Sequence, residues 1–201
     1  MDTAVALVQT YLYANGYFTV TEYPILEHMS SSSPRTITDV DVLAVRFPGA
    51  GSVSIDGDTG GIAFAPDPEL GTSDTSIDVI IAEVKEGAAE LNHAATNPEV
   101  LRAAIGRVGR SLPEVADELV ASLIETGEAT HPIGVRFRLM VFASKPPNRR
   151  HVSYTWMSHG HISLWLREQL RSRWDVVKSV QSKDPALGFM LLDEKAIRGE
   201  Q

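Results

Sequence analysis

The stretch DVIIAEVKEG, Asp78 to Gly87, begins as an oily strand and ends with a carboxylate and an ammonium two residues apart. Strand side chains alternate faces with a period of two, so Val79, Ile81, Glu83 and Lys85 share one side of a sheet. Burying either charge alone is expensive, so the two must be paired, wet or holding something. A second acidic strand, ITDVDVLAVRF over 37–47, sets Ile37, Asp39, Asp41, Leu43 and Val45 on one face and Val40, Val42 and Ala44 on the other. Beside 77–85 it would bring Asp41 next to Glu83. Two carboxylates, a main-chain carbonyl and water are the hard oxygen ligands Mg²⁺ takes; a neighbouring Lys can hold or deprotonate a water and steady charge on a phosphate. That is phosphodiester hydrolysis in outline, and the bland alternative is an edge-strand salt bridge between Glu83 and Lys85.

The elements that must position these residues are legible from spacing. Residues 3–17 carry Val5, Val8, Leu12 and Tyr13 at helical intervals, with Asn15 and Gly16 as a stop. FTVTEYPIL reads as a strand and 30–36 as a polar loop; 48–76, rich in Gly, Pro and Asp, reads as an insertion with a short strand around GGIAFAP. Asn97 and Pro98 open a helix that runs to Val108 and stops at Gly109. Ser111 and Glu114 form a capping box for another helix, through about Glu125. Residues 133–143 and 152–162 read as strands around the basic turn KPPNRRH; a helix with Ile162, Trp165, Leu166 and Leu170 on one face follows, and the C-terminal stretch is assigned as helical. The order of elements predicts an α/β fold with helices layered on a mixed sheet.

TDVDVLAV, then DVIIAEVKEG, behind a first helix that ends ANGYF, resembles the PD-(D/E)xK nuclease superfamily, which includes restriction endonucleases and Holliday-junction resolvases. The resemblance covers residues 1 to about 145 and implies a restriction-endonuclease-like three-layer core in a single domain, with an insertion over about 48–76 and an accessory strand and helices over about 148–201. It further implies a metal-dependent nuclease that hydrolyses DNA or RNA with a metal-activated water. Mg²⁺ or Mn²⁺ would be held by Asp41, Glu83 and the Val84 carbonyl, with Lys85 serving the water. The family's Pro before Asp is Val40 here, and where many members carry an acid in the first helix this chain offers Gln9, able to orient a water or touch a phosphate. Asp39 is expected as a solvated or outlying acid. The rival expectation is a nuclease-fold subunit that no longer cuts and serves as a nucleic-acid-binding or scaffold protein. Expected partners are nucleic acid, DNA first, with a homodimer or a larger nucleic-acid-processing or defence complex as the setting.

Charge and composition bound these readings. The 201 residues carry a net charge of −8, unevenly spread. Residues 1–101 hold 3 Lys and Arg against 15 Asp and Glu, and residues 102–201 hold 15 against 11. An acidic half that collects divalent cations and a basic half that meets phosphates suit the hydrolysis reading; two solvated surfaces are the alternative. Arg136, Arg138, Arg149 and Arg150 are candidate phosphate contacts, the first two on the outer face of their strand. No cysteine is present, which excludes disulfides and thiolate metal sites. With no signal-peptide pattern and no long apolar run, a soluble cytoplasmic protein without membrane contact is expected. Asp56, Asp58, Gly61 and Asp67 mimic a calcium loop, but Gly60 stands at its fifth position and the flanks are not helical, so a tight turn is expected. His159 and His161 have a spacing zinc can use but lack a third ligand.

Overall fold

Asp2 opens the first helix by accepting the Ala4 amide at 3.1 Å, and α1 runs Thr3–Ala14. It ends where Gly16 turns the chain at φ +84°; a Cβ there would lie 2.9 Å from the Ala50 backbone, so the turn requires glycine. The computed structural model describes residues 2–27, 35–51, 64–109 and 113–199. Among these, six strands form one mixed sheet and six helices cover its faces, giving the expected α/β class.

β1 (Phe18–Glu27) and β2 (Arg35–Arg46) pair antiparallel, and β2 pairs antiparallel with β3 (Ile77–Ala88) from Arg46↔Asp78 to Val42↔Ala82. β3 then pairs in parallel with β5 (Val135–Lys145). The crossover between them carries α2 (Pro98–Val108) and α3 (Pro113–Thr126). The far edge of β5 is shared by β4 (Glu128–Thr130), opposite residues 136–138, and β6 (Thr155–Ser158), opposite 140–143. Past β6 the chain forms α4 (His159–Ser172), α5 (Trp174–Val177) and α6 (Pro185–Arg198).

The strand period sorts the core into two layers. Val42, Ala44, Ile80, Ala82, Met140 and Phe142 face α1, α4, α5 and α6; Leu43, Val79, Ile81, Phe137 and Leu139 face α2 and α3. α1, α4 and α6 therefore complete one apolar layer, in which Tyr11 meets Trp165 edge-on at 5.3 Å. No helix among the described residues is long and apolar enough to cross a membrane.

Several local expectations are corrected. β6 spans Thr155–Ser158 only, because the Ser158 hydroxyl caps the His161 amide at 3.0 Å and starts α4 at His159. β4 is too short to leave a periodic signal. The alternation through β2 slips at Asp41, so that Val40 joins the same core layer as Leu43 and Val45. The pairing with β1 skips from Thr21↔Val42 to Tyr23↔Val40, and the skipped Glu22 has φ +52°, a sparsely populated conformation for a residue with a Cβ. The capping residue Ser111 and the loop residues Asp56, Asp58, Gly60 and Gly61 lie outside the described residues, as does the first half of GGIAFAP.

Candidate functional site

Asp41 sits where the sheet opens. Its backbone is the first of β2 beyond the ladder to β3, whose last pair is Val42↔Ala82, and it is also skipped by the ladder to β1. Its Oδ2 instead accepts the Val84 amide at 2.7 Å, so the side chain replaces the main-chain partner that a continued ladder would supply. Within an extended strand the N–H and C=O of one residue leave on the same side, so the Val84 carbonyl also faces the Asp41 side.

Glu83 lies on the opposite face of β3 from Val84, at the end of the apolar row Val79 and Ile81. Its side chain is 7% exposed, and its Oε1 accepts both the Lys85 ammonium and the Asn92 amide, the latter at 2.6 Å. Asn92 is fixed in turn by the Ala95 amide, which donates to its Oδ1 at 2.6 Å. A third of the Lys85 side chain reaches solvent, so the site is accessible. Burial pushes the Glu83 carboxyl above the ordinary carboxylate range; the Lys85 hydrogen bond opposes this and the charge of Asp41 adds to it.

Each carboxylate keeps one oxygen, Asp41 Oδ1 and Glu83 Oε2, without a hydrogen bond among the described residues. These two oxygens and the Val84 carbonyl are hard donors of the kind Mg²⁺ or Mn²⁺ takes. Among the described residues no group of three or more His, Asp or Glu side chains could hold a metal. The remaining ligands would be water and substrate oxygens, as Mg²⁺ prefers. By chemical type the two carboxylates and the carbonyl are donors that a divalent cation takes.

Other sequence candidates fall elsewhere. Asp39 is exposed opposite Pro24 and borders, with Glu83, Leu91 and Ala95, a crevice of about 10 Å³, the least that holds a water. Gln9 lines a pocket with Tyr13 and the 180–184 segment, in the layer of α1 and α6, whereas Glu83 continues the row facing α2. The expected outer-face track of Arg136 and Arg138 is corrected. Arg138 is buried, with Nη2 donating to Asp78 Oδ2 at 2.5 Å and Nε to Oδ1 at 3.0 Å, while Nη1 donates to the Leu70 carbonyl at 2.7 Å. The Tyr17 hydroxyl donates to the same Asp78 at 2.5 Å. Arg136 pairs with Glu128 at 2.8 Å and donates to the Gly71 carbonyl. Arg149 and Arg150 are exposed, and Arg149 lines a cleft next to Asn92.

The two histidines diverge. His161 Nε2 meets Asp67 Oδ2 at 2.6 Å, and Asp67 also takes the Tyr11 hydroxyl and caps the turn Pro68–Leu70 through the Glu69 amide. His159 Nδ1 lies 3.2 Å from the Ser144 hydroxyl instead. No local sequence pattern marks Asn92 as a Glu83 partner or joins Arg138, Asp78 and Tyr17 into a cluster. A turn-forming Asn in ELNHAAT is the only signal at Asn92.

Compared with protein-family models, curated proteins and solved structures, the chain matches none of them.

Proposed function

We propose that this chain is a metal-dependent nuclease of PD-(D/E)xK type, hydrolysing phosphodiester bonds of nucleic acid at Asp41, Glu83 and Lys85. The observation that carries the reading is the pair of unengaged carboxylate oxygens, one from Asp41 and one from Glu83, at the point where β2 leaves β3, with Lys85 beside them. A salt bridge alone explains Lys85 on Glu83. It does not explain a second carboxylate held against a largely buried first one, an arrangement that a divalent cation relieves.

In this reading Asp41 and Glu83, with the Val84 carbonyl, would hold Mg²⁺ or Mn²⁺, which would lower the pKa of a bound water and neutralise phosphate charge. Lys85 orients the water and faces the developing charge on the phosphate oxygens. A P–O bond to the water oxygen would form as the P–O bond to the sugar oxygen breaks; the water gives up a proton to solvent and the sugar oxygen takes one from solvent. Asn92 holds Glu83 in place. The order helix, antiparallel β1–β2–β3, crossover helices and parallel β5 supports a restriction-endonuclease-like core.

The test is cleavage of single- and double-stranded DNA and RNA by the purified chain with Mg²⁺ or Mn²⁺ and with chelator, alongside Glu83→Ala and Lys85→Ala. Metal-dependent cleavage lost in both variants is expected; equal cleavage by the variants would place the activity elsewhere. That no group of three or more His, Asp or Glu among the described residues could hold a metal favours a second reading, a subunit that binds nucleic acid without cutting it. No cleavage across the panel and no heat of Mn²⁺ binding would select that reading.

A further inference from the structure

Beside Glu83 lies a second cleft, of about 360 Å³, between the β3–α2 and β5–β6 connections. Asn92, His93 and Thr96 form one wall, and Arg149, His151 and Tyr154 the other. Asn92 belongs to both places, since its amide donates to Glu83 Oε1 at 2.6 Å. One acid lines the cleft: Glu90 Oε1 accepts the Asn148 amide at 2.9 Å, which fixes the carboxylate without removing it from the cleft. The Tyr154 hydroxyl is likewise engaged, donating to the Ala89 carbonyl at 2.6 Å. The side chains of Arg149, His93 and His151 have no hydrogen bond or ion pair among the described residues, while the His93 carbonyl accepts the Thr96 hydroxyl at 3.3 Å. The donors left over are therefore of the kind that binds an anion, and Arg presents a fork that fits a phosphate.

The volume lies at the small end of ligand sites and suits one nucleotide unit. We propose that this cleft holds an internal phosphodiester of the cleaved strand, one nucleotide from the scissile bond, through Arg149, His151 and His93. The proposal rests on the nuclease reading above. It adds to it a subsite outside the metal residues, joined to them by Asn92, so that a strand seated in the cleft is aligned with Glu83 and Lys85.

The test measures binding of short labelled DNA and RNA strands, with 5′-hydroxyl or 5′-phosphate ends, to full-length Lys85→Ala and to the same chain carrying Arg149→Ala and His151→Ala. Both added substitutions are at exposed positions. We expect binding weakened about tenfold or more, and a slope of log affinity against log salt smaller by about one, whatever the 5′ end. Unchanged affinity and slope would overturn the proposal and leave the metal site standing. A loss confined to 5′-phosphorylated strands would assign the cleft to a terminal phosphomonoester and overturn the internal phosphodiester. No binding by the Lys85→Ala parent, nor by wild type with chelator, would overturn it together with the nuclease reading.

Discussion

Asp41 Oδ2 accepts the Val84 amide at 2.7 Å, across the gap where the β2–β3 ladder ends. One carboxylate oxygen thus closes the sheet, and in the proposed reading the other would take the metal, so the two roles separate by substitution. Asp41→Asn keeps an oxygen acceptor for Val84 and removes the charge; Asp41→Ala removes both. We expect Asp41→Asn to unfold close to wild type and Asp41→Ala to lose about 1–2 kcal/mol, the cost of a half-buried amide without a partner. Both should abolish the heat of Mn²⁺ binding. Wild-type metal affinity in Asp41→Asn would remove Asp41 from the site.

Glu83 gives a pH signature. Burial raises its carboxyl above the ordinary value of 4.5, with Lys85 opposing and Asp41 adding, so the native chain keeps a proton that the unfolded chain has released. The stability this group contributes is present below that ordinary value and is lost as pH rises through the raised folded value. Without metal, Glu83→Gln should therefore lose less stability than wild type in urea unfolding as pH rises above 4.5. Added Mn²⁺ should stabilise wild type at the higher pH and leave Glu83→Gln unmoved. Parallel pH profiles for the two chains would contradict this account of Glu83.

Arg138 is a structural cation, and its removal is predicted to unfold the chain instead of weakening a phosphate contact. Its bonds to Asp78 lie among buried groups, with Tyr17 donating to the same carboxylate. Burial alone would lower the Arg138 pKa, but Asp78 outweighs it and the net direction is up. Arg138→Ala strands a buried carboxylate and should cost about 3–5 kcal/mol, while Asp78→Leu with Arg138→Met should recover most of that loss. A stable Arg138→Ala chain with weakened nucleic-acid binding would restore the phosphate role.

Arg138 also marks where sequence reasoning stopped. The period of two placed Glu83 and Lys85 on one face, because side-chain direction in a strand is a local property, but it did not show that the alternation slips at Asp41 and turns that carboxylate to the Val84 amide. Asn97, Pro98 and Gly109 bounded α2 as expected because caps are local as well. Which face of β5 is outer is decided by packing: Arg138 was assigned to solvent, but Asp78, 60 positions away, and the Leu70 carbonyl give it buried partners. The slip at Asp41, which moves Val40 into the layer of Leu43, lies opposite Glu22, whose φ of +52° no local sequence signal announces. Gln9 sits in the helix layer away from Glu83 for a similar reason, since the docking of α1 on α4 and α6 sets its orientation.

Asn92 is the residue we expect to act on metal binding through another side chain. It bridges the Ala95 amide and Glu83 Oε1, so a turn in the β3–α2 connection sets the position of the carboxylate. Partners of metal-binding side chains typically change metal affinity by about 10–100-fold when removed. Asn92→Ala is therefore expected to weaken Mn²⁺ binding within that range, with a loss of fold stability near 1 kcal/mol, about one hydrogen bond. Asn92→Asp keeps the acceptor for Ala95 but adds to Asp41 a further carboxylate against Glu83, and should make the Glu83 dependence of stability on pH stronger than in wild type. Calorimetric titration with Mn²⁺ and urea unfolding across pH measure the two effects separately. A variant that loses stability without losing metal affinity would reduce Asn92 to a turn residue.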